Sequence, residues 1–522
     1  MPLNRGKAFC EPESVHQSLA ASADSRRNEQ RLSIVLSLVI GVLVGLVVVA
    51  FVLLTGRLSA RMYPAGGAPW RRLVIPVIGS TIGGWLIYRY FPDARGSGIP
   101  QTKFAIFIYN GYLSLRTVLG KFLCCSISLA SGIALGREGP SVHIGAGIAS
   151  VLSRRFGLSP AIVKQMVPVG CSAALAAAFN TPIAAVLFSL EEILGDLHAP
   201  VLGSVVISSA TSWMVLHLLL GDEPLFHVPA YQLVHPAEFA IYAVLGVIGG
   251  LSSVVFVKLL LAIRVRFRAL PKSTAWIQPA VGGLLVGILG WHFPEVLGVG
   301  YDFVERVLGG ATPLRTVVLM GVLKIIATAT CYSSGNAGGI FGPSLFIGAM
   351  VGGAVGSIAH HFFPAYTANP GAYALIGMGT AFAGIIRTPL TSVIMIFELT
   401  RDYSIIVPLM ISNLISFVIS YHLQREPIYD ALAQQEGVHL PGAEDREHFT
   451  ASRVGDVLQP VEGTPPPLDS YIHVDQPLSL ALERMGSAGV DVLAVVSRAD
   501  RSEILGVVTL QAVLKAYGID RS

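Results

Sequence analysis

Gly136-Arg137-Glu138-Gly139-Pro140-Ser141 joins two apolar runs, Val118 to Leu135 and Val142 to Leu152, so an arginine and a glutamate stand between segments that read as membrane-buried. An ionisable side chain at membrane depth is energetically costly and marks a functional position by default. The glycines and the proline read as a helix stopped and restarted inside the bilayer. Such a break is tolerated only where the freed backbone is buried in protein or lines a cavity. The stretch predicts an all-α polytopic membrane protein of broken helices whose remaining chain positions Glu138.

Composition points the same way. Of 522 residues, 53% are hydrophobic and 13% charged, about half the charged share usual in soluble domains. The charges divide unevenly: residues 437–522 hold 12 acids and 7 bases, whereas the first 436 residues hold 20 acids and 29 bases. A basic portion suits a protein held at anionic headgroups and drawing in anions, and an acidic tail suits a soluble domain. Nothing in this pattern points to nucleic acid. Cys10, Cys124, Cys125, Cys171 and Cys331 are scattered and offer neither a disulfide framework nor metal-ligand spacing; no metal and no cofactor are expected.

The first thirty residues are polar, with room for one short amphipathic helix and no apolar core of a cleavable signal. Leu32 to Leu54 then offers 23 apolar residues, enough to span a core of ~30 Å. Arg26, Arg27 and Arg31 precede it and favour a cytoplasmic N-terminus. Later apolar segments up to about Tyr421 are shorter, and Gly or Pro interrupts nearly all of them. Short, interrupted segments at matching positions of two halves point to a transporter's binding site.

Two halves are present. Gly136 to Ala146 aligns with Gly339 to Ala349, and Gly170 through Thr181-Pro182 to Glu191 aligns with Gly377 through Thr388-Pro389 to Glu398. The chain is thus an internal duplication, roughly 31–225 and 235–435. Glu191 pairs with Glu398 and reads as framework. Glu138 pairs with Phe341 and Glu192 with Leu399, so these two acids break the symmetry and are the candidates for chemistry.

Gly96-Ser97-Gly98-Ile99-Pro100, the Glu138 block, Gly339-Ile340-Phe341-Gly342-Pro343 and the two Thr-Pro pairs all read as helix starts, with Thr capping and Pro in the first helical position of the Thr-Pro pairs. Helix N-termini carry unpaired N–H groups and a partial positive charge, so several converging at the midplane make an anion site.

With GSGIP, GREGP and GIFGP present in that order, residues from about 31 to 435 resemble the CLC family of chloride channels and chloride/proton antiporters. The resemblance implies two inverted repeats of broken, tilted helices, a homodimer with one pore per subunit, and a multi-pass protein of the plasma (inner) membrane if prokaryotic, with both termini cytoplasmic. By position it implies that Glu138 is the gating glutamate and Glu192 the internal proton-transfer glutamate. Ser97, the backbone amides of Ile340 and Phe341, and the Tyr429 phenol would bind chloride. Gly96, Gly98, Pro100, Gly136, Arg137, Gly139, Pro140, Gly339, Gly342 and Pro343 would shape the anion motifs. The fluoride-exporting branch departs at the serine and the phenylalanine, and nitrate preference goes with proline at the serine position, so chloride is the expected anion.

Plainer roles stand beside these. Glu138 could pair with Arg137, Glu192 could be a helix-end acid near cytoplasmic water, Tyr429 an interfacial aromatic and Ser97 an N-cap. Lys121 could raise the local potential or snorkel, and His143 and Cys171 read as packing residues. The family's channels commonly lack the second acid, so Glu192 favours an antiporter over a passive gated chloride channel. An enzyme is not expected, since no His is followed by Glu and no G-x-S-x-G elbow occurs.

After Tyr429 the chain turns polar, passes Pro465-Pro466-Pro467, and changes pattern: Leu478–Met485 has helical spacing, Val490–Val496 and Ile504–Val508 read as strands, and Gln511–Tyr517 is helical again. This resembles one CBS unit, a small α/β cytoplasmic domain, with Val454–Leu458 at best a remnant of another. CBS units work in pairs, so each subunit of a dimer would supply one. Ala512 stands where the family usually has its ribose-binding aspartate, which argues against nucleotide binding. The expected organisation is 1–30 as a cytoplasmic segment, 31–436 as the transmembrane domain, 437–449 as a linker and 450–522 as the CBS-like domain.

Overall fold

The computed structural model describes residues 12–438, except 223, 227, 229, 230 and 232, and in the tail 440, 452–461, 471–488, 490–498, 500 and 503–516. Cys10, the triple proline at 465–467, Tyr517 and most of the expected linker lie outside the described residues. The chain divides into two compact units, Met1–Val438 and His439–Ser522.

In the first unit α1 (Pro12–Met62) carries the first apolar run, and the polar start expected as a separate segment is continuous with it from Pro12. There follow α2 (Trp70–Arg89), α3 (Ile99–Phe107), α4 (Leu115–Ala130), α5 (Glu138–Arg155), α6 (Pro160–Phe179), α7 (Pro182–Phe188) and α8 (Leu202–Leu220). The second half repeats this succession as α9 (Glu238–Arg268), α10 (Gln278–His292), α11 (Tyr301–Leu308), α12 (Leu314–Ser333), α13 (Phe341–Phe362), α14 (Pro370–Ile386), α15 (Pro389–Thr400) and α16 (Ile406–Leu423), before α17 (Ile428–Gln435). Seven helical stretches among the described residues are long and apolar enough to cross a membrane. The shorter ones, including α3, α7, α11 and α15, are the broken pieces that the interrupted segments predict.

Sequence dictates where each piece starts and stops. Proline opens α6, α7, α14 and α15, where its missing N–H costs nothing. Asn180 and Arg387, equivalent in the two repeats, end α6 and α14 in the left-handed conformation at φ 61° and 68°. Between helices, close packing replaces the hydrophobic drive that lipid cannot supply, and small residues permit it. A Cβ added to Gly145 on α5 would lie 2.2 Å from the Gly170 carbonyl oxygen of α6. The equivalent contact joins Gly348 of α13 to Gly377 of α14, at 2.3 Å.

The repeats meet at their signature blocks. Gly136 N–H donates to the Gly339 carbonyl and Gly339 N–H to the Gly136 carbonyl, both at 2.7 Å. This is an antiparallel bridge between equivalent residues, as a two-fold relation between the halves requires. A parallel bridge joins Gly96 to Ala337, through Gly338 N–H and the Gly96 carbonyl at 3.2 Å.

A second reciprocal contact corrects the expected capping. Thr181 and Thr388 occupy the N-cap positions of α7 and α15 but make no capping hydrogen bond, and their hydroxyls have no partner among the described residues. The caps come from the opposite repeat. Glu398 accepts from Ile183 N–H at 2.9 Å and Ala184 N–H at 2.7 Å, while Glu191 accepts from Thr391 N–H at 2.8 Å and its hydroxyl at 2.7 Å. A carboxylate at a helix N-terminus meets both the free N–H groups and the dipole. These two helix starts are therefore already occupied and unavailable to a transported anion.

Lys121 does not snorkel. It is fully buried and donates to the carbonyls of Ala94, Arg95 and Gly96 at 2.9, 3.2 and 3.1 Å. Lys324, at the corresponding place in the second repeat, is equally buried and donates to Val296 and Gly298 at 3.1 and 2.7 Å. Both lysines hold the irregular backbone that leads into α3 and α11.

In the second unit β1 (Tyr471–His473), α18 (Leu478–Ala488), β2 (Val492–Val496), β3 (Ile504–Thr509) and α19 (Leu510–Ala516) form an α/β layer. The sheet order is β1-β2-β3, parallel across the α18 crossover and antiparallel across the β2–β3 connection. Strand β1 is not among the segments read from the residue pattern, since its three residues are too few for an alternation to show, but the β-α-β-β-α order that the CBS resemblance implies includes it. Val454 joins the same core as Ile472, Leu493, Val495 and Val508, and Gln459 bridges Val507, so Val454–Leu458 belongs to this unit.

Gly145→Ala forces a methyl into the Gly170 carbonyl, and overpacking of this kind costs about 1–3 kcal/mol. Gly203→Ala meets nothing within 4 Å and serves as control. Thermal unfolding in detergent is expected to show a lowered midpoint for the first and none for the second; equal midpoints would contradict the packing account.

Candidate functional site

Three helix starts remain for chemistry, those of α3, α5 and α13, and the Gly136–Gly339 bridge draws them together. Gly139 is closely packed, since a Cβ there would lie 3.1 Å from the Ser97 Cβ, 3.2 Å from the Ser97 carbonyl oxygen and 3.4 Å from the Gly339 Cα. Gly98 precedes α3 with φ +92°, a conformation that favours glycine, and a Cβ on it would strike the His143 ring at 2.5 Å. His143 is more than packing, since its Nδ1 holds the Gly98 carbonyl at 2.8 Å.

Ser97 is fully buried and is not the N-cap, a place Gly98 takes. Its hydroxyl lies 3.4 Å from the Tyr332 hydroxyl. Ile340 and Phe341 open α13, also fully buried, and the first N–H groups of a helix have no intrahelical acceptor. The Phe341 ring is fixed by Phe382, Phe179 and Phe188 at centroid distances of 4.4, 4.9 and 5.5 Å. Tyr429, second residue of α17, is fully buried rather than interfacial, and its hydroxyl has no hydrogen-bond partner among the described residues.

Glu138 opens α5 and is fully buried. Its Oε2 has no hydrogen-bond donor among the described residues and lies so close to Gly136 that a Cβ there would meet it at 2.4 Å. The Arg137 pairing is long, Nε to Oε1 at 3.9 Å. The short contact is one that sequence reading missed: Tyr301 donates its hydroxyl to Oε1 at 2.5 Å.

Tyr301 belongs to a third duplicated block. Phe293-Pro294-Glu295-Val296-Leu297-Gly298-Val299-Gly300-Tyr301 aligns with Phe91-Pro92-Asp93-Ala94-Arg95-Gly96-Ser97-Gly98-Ile99, and Gly300 repeats the positive φ of Gly98 at +85°. The shared Phe-Pro-acid start and Gly-x-Gly end were the available signal.

Glu192 is only 6% exposed, in a π-helical turn, Ser189–Leu194, that follows directly on the helix beginning at Pro182. There Lys103 Nζ reaches Glu192 Oε1 at 3.0 Å and Asp430 Oδ1 at 2.5 Å. Lys103 sits on α3, which Ser97 precedes, and Asp430 follows Tyr429 on α17. One buried ammonium thus ties the proton-transfer candidate to two of the three elements at which chloride-binding candidates stand, α3 and α17.

The arrangement can hold a small anion on hydroxyl and backbone donors without a buried cation against it, and it places a carboxylate beside the same donors. Residues 79–421 match the family described as voltage gated chloride channel. The H(+)/Cl(-) exchange transporter ClcA of Vibrio campbellii is 32% identical over 357 residues, covering 67% of this chain and 76% of that protein. The crystal structure of a slow cyanobacterial Cl-/H+ antiporter superposes with a TM-score of 0.72 at 26% identity, over 77% of this chain and 97% of that one. A eukaryotic CLC transporter, 20% identical, superposes with a TM-score of 0.70 over 93% of this chain and 98% of its own, a likeness of fold that reaches past Val438. Its three signature blocks meet at the bridge between two repeats, and the chain belongs to the voltage gated chloride channel family, the CLC proteins.

Proposed function

We propose that the chain is a chloride/proton antiporter with one pathway per subunit. The observation that carries the reading is Glu138: a fully buried carboxylate at a helix start, one oxygen without a protein donor, where the equivalent residue of the other repeat is apolar. A carboxylate in that state is a tethered anion. Chloride that passes from Ser97, Tyr429 and the amides of Ile340 and Phe341 into the carboxylate's own place, beside Gly136 and Gly342, competes with it, and a proton taken up by Glu138 releases it from the site. Exchange follows because the seat holds either the carboxylate or chloride, and departure of the carboxylate carries a proton.

Glu192 gives that proton its second station. Lys103 supplies a counter-charge, so Glu192 can be ionised at a depth where an unpaired carboxylate would be strongly disfavoured. The name carried by the Vibrio campbellii relative, an H(+)/Cl(-) exchange transporter, agrees with this reading. We further propose a homodimer in the cell's plasma or inner membrane, both termini cytoplasmic, with the tail as a CBS-like unit that pairs across the dimer and does not bind nucleotide.

In liposomes under opposed chloride and proton gradients, the reversal potential is expected to lie between the two equilibrium potentials. A potential that follows chloride alone would leave a gated channel as the correct reading. Glu138→Gln is expected to keep chloride flux and lose proton flux, and loss of both would count against the tethered-anion role. Lys103→Met leaves Glu192 buried without a partner, and breaking such a pair costs about 3–5 kcal/mol. Its thermal midpoint is expected to fall and to recover in part in Lys103→Met/Glu192→Gln, whereas a wild-type midpoint for the single variant would contradict the ion pair's role.

A further inference from the structure

We propose that Tyr301 is a latch that holds Glu138 in the anion seat and so sets how readily chloride displaces it. The proposal rests on the tethered-anion reading of Glu138 and names the group that opposes its release.

The geometry is specific. The Tyr301 hydroxyl donates to Glu138 Oε1 at 2.5 Å, while Oε2 has no protein donor. The phenol is therefore the carboxylate's close side-chain partner, with Arg137 at 3.9 Å. Tyr301 is itself held in place. Phe226 meets its ring edge-on at a centroid distance of 5.1 Å, and the Arg137 guanidinium lies 5.8 Å from the ring centre. It lines a cavity of about 510 Å³ with Thr55, Arg137, Glu295, Asp302 and Arg306.

The duplication says why this hydroxyl is not framework. In the block shared by the two halves, Ser97 is matched by Val299 and Ile99 by Tyr301. The second repeat lacks the hydroxyl that the first offers to chloride and has, two residues on, a hydroxyl turned to the acid that imitates chloride. Each departure from symmetry lies on the side where it acts.

A hydrogen bond donated to a carboxylate stabilises the seated state and not the displaced one. Chloride has to break it to enter, so the hydroxyl weakens apparent chloride affinity. The chemical change that isolates the effect is loss of one oxygen atom, in Tyr301→Phe. A hydrogen bond to a charged group corresponds to roughly tenfold or somewhat more in an equilibrium constant.

Chloride titration calorimetry on the purified full-length protein tests this with four variants. Tyr301→Phe is expected to bind chloride about tenfold more tightly than wild type, and Tyr301→Phe/Glu138→Gln to match Glu138→Gln alone. Unchanged or weaker binding in Tyr301→Phe would overturn the latch, and so would an undiminished effect in the Glu138→Gln background, which would assign the hydroxyl to chloride or to packing. Difluorotyrosine placed at 301, a stronger donor of nearly the same shape, is expected to move the affinity the other way; no movement would also count against the latch. Failure of the underlying reading shows separately, as Glu138→Gln binding chloride no more tightly than wild type.

Discussion

Two backbone hydrogen bonds between Gly136 and Gly339 carry the architecture of the pathway. They join equivalent residues of the two repeats in antiparallel sense, so the start of α5 and the start of α13 face a common point. Non-helical backbone inside a bilayer has to find partners within the protein. Here each half supplies the other's partner, and the same principle sets Glu191 and Glu398 as crossed caps on α15 and α7. Lys121 and Lys324 do the equivalent work within each half. The symmetric framework thus exists to make broken helices tolerable at membrane depth.

Against that framework the functional groups are the exceptions. Glu138 faces the position of Phe341, Ser97 that of Val299, Tyr301 that of Ile99, and Glu192 that of Leu399. A symmetric pathway would treat its two ends alike. On the reading proposed above, these four differences give one end a displaceable carboxylate with its own donor, Tyr301, and the other the Ser97 hydroxyl, ahead of the helix whose Lys103 pairs with buried Glu192. Directional coupling of two ions needs such a difference between ends.

Much of this was legible from residues alone. The interrupted apolar runs give the broken helices, the two aligned blocks give the duplication, and the mismatch at Glu138 gives the site. What escaped reading depended on contacts between distant segments. Thr-Pro reads locally as a cap, but a carboxylate of the opposite repeat is a stronger partner for those N–H groups and displaces the threonine. Lys103 is one cation among many in a basic domain until folding sets it between Glu192 and Asp430. Helical spacing places Glu192 at a helix end, and the π-helical turn with its lysine keeps it buried. Tyr301 was within reach, because its block aligns with the one around Ser97, yet its role depends on a contact to a residue in the other repeat.

The central claim is that the Glu138 carboxylate occupies a seat that a halide takes when the carboxylate is gone. Anomalous diffraction from bromide-soaked crystals of wild type and Glu138→Gln tests it directly. The account requires a bromide peak at the start of α5 beside Gly136 and Gly342 in the variant, and none there in wild type. The same bromide positions in both proteins would contradict it.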